Sequence, residues 1–456
     1  MKRTKVTIQF LSASFPLNDP TIGLCSTVIK KWKIPKHTLL TLRFGSAAHE
    51  VRVVPTALAG VLQIQESLAV TWGLSSRDSL CLQYKAADQT LHIGPLLGVL
   101  ISRVYSGNVE KPFGASTSFY RELHDTGRLL GASVCFITPD ELHVPHSTVR
   151  GWRYTDRWEQ REFPMPHVIY NRLTSRKLEN REHVQQFLQH AKTEHHAALF
   201  NEKYLNKAEV FDALNKAADL RNYLPESHLL QHYEILKSMC AKHPVVFLKP
   251  VTGSLGKGII RVAKQTDLSY ACYFTNLNGA RKQSFKSLSQ LFFALSGKIK
   301  QQHYQIQQGL ELISIGGCPV DFRALVQRNE LGQWEVTSVV ARIAGHQHFV
   351  SNLARGGRMS TVKDALAQSH SAAAAAGGAS LLRRAALSIA QGIETHINAH
   401  FAELGIDLAI DTQGKVWLLE VNSKPSKEDN PPLRTQGTVR TSVKRIIQYS
   451  RYAAKF

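Results

Sequence analysis

The chain has 456 residues, 43% of them hydrophobic, and a formal net charge of +21; that is length for two or three domains with substantial cores, and it excludes extensive disorder. No apolar run approaches the ~18 residues that a membrane span needs, and Cys25, Cys81, Cys135, Cys240, Cys272 and Cys318 are scattered without metal-like pairs or the density of a disulfide framework. The positive charge attracts polyanions, whether anionic polymer, acidic polypeptide, nucleotide or nucleic acid, without choosing among them.

Met1 to Phe10 alternates polar and apolar residues like a strand, where a signal peptide would need an apolar block, so a cytoplasmic protein is expected. Val6, Ile8 and Phe10 share this alternation with Leu40, Leu42 and Phe44 and with Leu80, Leu82 and Tyr84, which predicts a β-rich N-terminal domain over residues 1–92. It offers no catalytic constellation, and a docking role and a purely structural one both stand. Next, the apolar stretch Leu96 to Ile101, the helical periodicity from Phe119 to Leu130 and the apolar stretch Ala132 to Ile137 predict the βαβ opening of an α/β domain over 93–198, with Val168-Ile169-Tyr170 as a further strand.

Leu199 to Lys207 leads into a helix and presents two lysines, Lys203 and Lys207, which as residue types are most simply exposed. Val245 to Pro250 is a strand delivering Lys249, followed by a loop with Gly253, Ser254, Gly256 and Gly258, whose backbone N–H groups can approach an anion closely. It is not a P-loop, because Gly258 stands where Ser or Thr would meet a metal, and it lacks the third glycine of a dinucleotide fingerprint. On its own such a loop is more often a plain turn than a nucleotide site. Then come apolar segments carrying Gln307 and Gln308, Asp321 and Arg323, and Arg342. His346 and His348 form a loop pair with no third ligand nearby, which argues against zinc. Ala372 to Gly378 reads as a loop or frayed start before an amphipathic helix from Leu381 to about Phe401.

Ile406 to Ile410 and Val416 to Asn422, joined by Asp411-Thr412-Gln413-Gly414, read as a β-hairpin. Pairing Asp411 with Gly414 sets Asp407 opposite Leu418 and makes Glu420 its diagonal neighbour, about 7–8 Å away, with Leu418, Glu420 and Asn422 on the same face. Two carboxylates and an amide oxygen suit Mg²⁺, which takes one or two carboxylates together with phosphates. A solvated polar face is the alternative. The basic residues between Arg440 and Arg451 read as a solvated helix face.

In order and spacing, Val245 to Ile259, Tyr304 to Leu310, Val320 to Val326, Val340-Ala341-Arg342, Ser351 to Gly357 and the hairpin resemble the ATP-grasp superfamily over about residues 200–426. Leu40 to Gly45, His92 to Leu100 and His167 to Arg172 extend the resemblance to the YheC/YheD group of endospore coat-associated ATP-grasp proteins. The resemblance implies an α+β fold: an ATP-grasp domain of two α+β subdomains over 199–456, its flap at about 225–305, preceded by a pre-ATP-grasp α/β domain and the N-terminal β-rich domain.

It also implies that ATP is held by Lys249, Gly253, Ser254, Gly256 and Gly258. Gln307 and Gln308 then lie on the hinge strand that meets adenine, and Lys203, or as second choice Lys207, meets phosphate. Asp407, Glu420 and Asn422 would hold Mg²⁺, and Arg323 and Arg342 would act catalytically by clamping phosphate, a structural ion pair being the alternative for each. The implied activity is ATP- and Mg²⁺-dependent ligation of a small-molecule or peptide carboxylate to an amine through an acyl phosphate. Association with the endospore coat follows, with coat proteins or an anionic polymer as partners; nucleic acid, supported by charge alone, is not expected. The alternative is a spore coat or surface assembly protein whose ATP site is regulatory or inactive. One departure concerns Ile406: some members carry arginine just before the first metal aspartate, so acyl-phosphate stabilisation must come from elsewhere or be weak.

Overall fold

The computed structural model describes residues 2–11, 21–35, 38–105, 107–142, 147–251, 258–276, 279–345, 357–427 and 439–456. Helices and strands are mixed throughout, in four successive sheets.

The first sheet is a closed seven-stranded barrel running from Lys2–Phe10 to Thr90–Gly94. Its alternating apolar residues, among them Val6, Ile8, Leu40, Leu42, Phe44, Leu80 and Leu82, point into one buried core, as period-2 patterning dictates. A six-stranded sheet follows, in which Leu96–Leu100 pairs in parallel with both Ser133–Ile137 and Val168–Asn171. The helix Thr117–Leu130 makes the crossover between the first two, since parallel neighbours need one. Arg153 of this sheet donates to Asp78 of the barrel at 2.6 Å, both buried, which fastens the two units together.

The third sheet has Val245–Pro250 hydrogen-bonded between Tyr304–Gln308 and Ile260–Lys264, with Tyr270–Asn276 and Gly279–Phe285 continuing to its edge. Val246, Leu248, Ile260, Val262, Tyr304 and Ile306 form a core with Leu236 and Met239 of one helix and Leu291 and Leu295 of another. The opposite face, carrying Phe247, Lys249, Gln305 and Gln307, is the one left for function.

The fourth sheet centres on Cys318–Arg328, flanked by Trp334–Ile343 and Glu403–Ile410, with Val416–Asn422 at one edge. Leu404, Ile406, Leu408 and Ile410 alternate onto the core covered by the helix Gly378–His396, which starts and stops a few residues before the span read from periodicity. A short helix, Ala372–Ala375, precedes it. Glu403, Gly405 and Asp407 therefore share the other face. The six cysteines form no disulfide, and among the described residues no helix is long and apolar enough to cross a membrane.

Candidate functional site

The hairpin forms, but in a different register. Ile410 pairs with Val416 and Leu408 with Leu418, after which the pairing shifts so that Asp407 lies directly opposite Glu420. Leu419 is the extra residue, a β-bulge of the kind that re-aims side chains. The correction has a consequence for the faces: Leu418 turns into the core with Val416 and Val421, while Glu420 and Asn422 remain partly exposed. The two carboxylates thus become cross-strand neighbours, about 4.5–5.5 Å apart between their Cβ atoms.

Asp407 is buried and surrounded by cations. Arg323, its cross-strand neighbour on the other side, donates from Nε to Oδ1 and from Nη2 to Oδ2, the latter at 3.1 Å. Arg342 reaches Oδ1 at 3.0 Å while its Nε donates to Asp321 at 2.6 Å. Burial raises the Asp407 pKa, but the two guanidiniums outweigh it and hold the carboxyl below its usual range. Burial likewise opposes the charge of Arg342, and Asp407 and Asp321 overcome it. Asn422 adds an Nδ2 donor 3.4 Å from Asp407 Oδ2. Gly405 makes the arrangement fit, because a Cβ there would stand 2.9 Å from Pro425 Cβ and 3.6 Å from the Arg323 side chain. No arginine precedes Asp407 in sequence, and the guanidinium beside it is that of Arg323 on the adjoining strand.

Lys249 approaches from the third sheet. Its Nζ donates to Oε1 of Gln307, whose Nε2 donates in turn to Ser227 Oγ at 3.0 Å, so Gln307 orients the lysine. Burial, reinforced by the charge of Lys207, pushes the Lys249 ammonium down to about 8, against the opposing pull of Glu420. The Lys207 N–H donates to Val251 O at 3.4 Å and its Nζ stands 3.1 Å from Glu420 Oε1, which joins the third and fourth sheets at this point. Gln308 is used differently, since its side-chain Oε1 accepts from the Glu226 N–H at 2.7 Å and its own N–H donates to Glu226 O at 2.9 Å. Gln305, opposite Lys249 in register, is 4% exposed, and its Oε1 has no hydrogen-bond partner among the described residues.

Of the two lysines before the helix Lys207–Leu214, Lys203 pairs with Glu209 at 2.5 Å, and Lys207 is the one at the site, 3.1 Å from Glu420 Oε1. Asn206 caps that helix by accepting from the Glu209 N–H at 2.8 Å. Asn201 anchors the segment further, donating to Glu403 O at 2.8 Å and to Ser423 O. Gly258 adopts φ +73°, where glycine is favoured, and packs on Pro250. Gly253, Ser254, Gly256, His346, His348 and Ser351 to Gly356 lie outside the described residues.

On the same face as Asp407, at the other end of its strand, lies a buried charged layer that pattern reading passed over. Glu403, 1% exposed, accepts from the Tyr170 hydroxyl at 2.5 Å, from Gln327 at 2.8 Å and from Lys427, with Arg172 at 3.7 Å. Lys424 pairs with Glu179, whose other oxygen accepts from the Tyr204 N–H at 2.7 Å. These bonds tie the segment just after Asn422 to the second sheet. Its signal was available as a second acid, Glu403, in the apolar strand of Asp407, followed by Lys424 and Lys427.

Chemically, the donor set of Asp407, Glu420 and Asn422 fits a hard divalent cation completed by phosphate oxygens. Among the described residues no group of three or more His, Cys, Asp or Glu could hold a metal by itself. The unpartnered Gln305 oxygen beside Lys249 fits a ligand donor in the same cleft.

Comparison with known proteins places these features in context. The family model described as YheC/D like ATP-grasp matches residues 196–453, more than half of the chain. The endospore coat-associated protein YheD of Bacillus subtilis (strain 168) is 29% identical over 380 residues, covering 81% of this chain and 81% of that protein. The endospore coat-associated protein YheC of the same organism is 26% identical over 297 residues, covering 64% of this chain and 79% of that protein. Among solved structures, the ATP-grasp ligase PsnB complexed with minimal precursor matches with a TM-score of 0.44 at 11% identity, over 78% of this chain and 99% of that one. D-alanyl-alanine synthetase A from Vibrio cholerae matches with a TM-score of 0.43 at 11% identity, over 80% of this chain and 99% of that one. Likeness at that level carries no weight for function.

Proposed function

The chain belongs to the YheC/D-like ATP-grasp family, and on that premise we propose that it binds ATP with Mg²⁺ and joins a carboxylate to an amine. The observation that carries this reading is the 3.1 Å ion pair of Lys207 with Glu420 at the end of the strand that delivers Lys249, which brings cations for phosphate and a carboxylate for metal together.

In this reading Lys249, held by Gln307, and Lys207 bind phosphate oxygens. Gly253, Ser254, Gly256 and Gly258 cover them with backbone N–H groups, and Lys203 acts only through Glu209. The strand Tyr304–Gln308 lines the adenine, with the Gln305 oxygen accepting from the base or ribose. Asp407, Glu420 and Asn422 would hold Mg²⁺, which offsets phosphate charge. A substrate carboxylate oxygen attacks the γ-phosphorus and ADP leaves; an amine nitrogen then attacks the acyl carbon, inorganic phosphate leaves, and the amine gives up a proton as the amide forms. Arg323 and Arg342 clamp the transferring phosphoryl group, for which a guanidinium fork is suited. Mg²⁺-dependent ADP release that requires both a carboxylate and an amine tests the proposal; no release with any acceptor tried counts against it.

A second reading, an endospore coat assembly protein whose ATP site is regulatory, is favoured by one feature: both oxygens of Asp407 already accept from arginines. Both readings put the protein at the spore coat, in keeping with the names of its relatives. A Glu420→Ala, Asn422→Ala double variant in sporulating cells separates them, since normal coat assembly favours the second and a folded but non-functional protein the first.

A further inference from the structure

The working face of the third sheet continues well beyond Lys249. Register aligns Gln307 with Phe247, Phe247 with Arg261, Arg261 with Tyr273, and Tyr273 with Lys282. Directly paired residues share a face, so these side chains form one row running from the Lys249 site to the edge strand Gly279–Phe285. Cations lie over its rings: Lys249 Nζ is 6.0 Å from the centre of the Phe247 ring, and Arg261 and Lys282 are 5.2 Å and 6.0 Å from that of Tyr273.

The charge of this region is one-sided. Residues 258–308 contain seven lysines and arginines (Arg261, Lys264, Arg281, Lys282, Lys286, Lys298 and Lys300) and one acid, Asp267. Asp267 is occupied in its own turn, accepting from the N–H and hydroxyl of Ser269 at 3.0 Å and 2.6 Å. Among the described residues neither Arg261 nor Lys282 forms an ion pair with a carboxylate of this chain. Both are at least partly exposed. The row is thus a set of cations held in place by aromatic rings and lacking counter-charges, continuous with the place where a carboxylate would be activated.

We propose that this row docks an acidic peptide and leads its reacting carboxylate to Lys249. Charge complementarity selects the partner: ring-held guanidinium and ammonium groups suit carboxylates. Single-stranded nucleic acid, which also seeks basic and aromatic surfaces, needs bare ring faces for its bases, and here cations already sit over them. The assignment of the peptide as substrate rests on the ligase reading above; its docking does not.

The test is fluorescence anisotropy with the full chain and a short fluorescein-labelled oligoglutamate, an oligoglutamine of equal length and a single-stranded oligonucleotide. A fluorescent ATP analogue is titrated in parallel. Oligoglutamate should bind at least about tenfold more tightly than oligoglutamine, and an Arg261→Gln, Lys282→Gln variant should lose about tenfold of that affinity, as two partly exposed ion pairs warrant, while keeping its affinity for the ATP analogue. Equal binding of the two peptides, an undiminished variant, or an oligonucleotide bound more tightly through the same two residues would overturn the proposal. Loss of ATP-analogue binding by the parent chain would instead remove the nucleotide reading and leave the docking result to stand.

Discussion

Asp407 lies directly opposite Glu420 because Leu419 is bulged out of the strand between Leu418 and Glu420. Deleting Leu419 removes the extra residue and leaves Leu418 opposite Leu408 and Glu420 opposite Asp407, so the two carboxylates stay cross-strand neighbours in a regular ladder. The deletion should therefore retain Mg²⁺-dependent nucleotide binding, measurable on purified protein. Inserting one alanine between Glu420 and Val421, which moves Glu420 off the Asp407 rung, should weaken that binding.

Lys249 supplies a positive charge to the site. A hydrogen bond to a charged group contributes about 1.5–3 kcal/mol, so Lys249→Met should weaken ATP binding by roughly 10- to 150-fold with an unchanged circular dichroism spectrum. Gln307→Leu should have a smaller effect in the same direction, because the ammonium stays but loses its orienting acceptor. Isothermal titration of an ATP analogue gives both numbers.

The pH dependence follows from the depressed lysine. Below about 8 Lys249 is protonated and attracts phosphate, and above that value it is neutral. ATP affinity should therefore fall as pH rises through about 8, well before an ordinary lysine (~10.4) would lose its proton. In Lys249→Met that step should vanish from the affinity profile.

The buried charged layer around Glu403 predicts an ordering of stabilities. Glu403→Gln leaves Lys427 and Arg172 without their counter-charge, whereas Lys427→Met leaves Glu403 still near Arg172. Removing one member of a buried pair costs about 3–5 kcal/mol. Chemical denaturation should show Glu403→Gln to be the less stable variant.

Much of this was legible beforehand, because a polar residue in an apolar strand stands out against a period of two. Lys249, Arg323, Asp407 and Glu420 were all visible in that way, and the ATP-grasp resemblance built on them is borne out by the family match. The bulge at Leu419 was not, since one inserted leucine leaves the apolar pattern intact while reversing which residues face the core. Lys203 was ranked ahead of Lys207, yet it is Lys207 that reaches Glu420: the two occupy one polar segment, and only the Asn206 cap and the Asn201 anchor decide between them. Glu403 was passed over because the acid shows in its strand but its partners Tyr170, Arg172 and Lys427 come from other parts of the chain.

The central claim is tested most directly by titrating a non-hydrolysable ATP analogue calorimetrically, with and without Mg²⁺, into the parent chain and Glu420→Gln. The account predicts binding by the parent that Mg²⁺ strengthens, and loss of that Mg²⁺ enhancement in the variant. A parent that binds no nucleotide, or a variant that keeps the full Mg²⁺ effect, would contradict it.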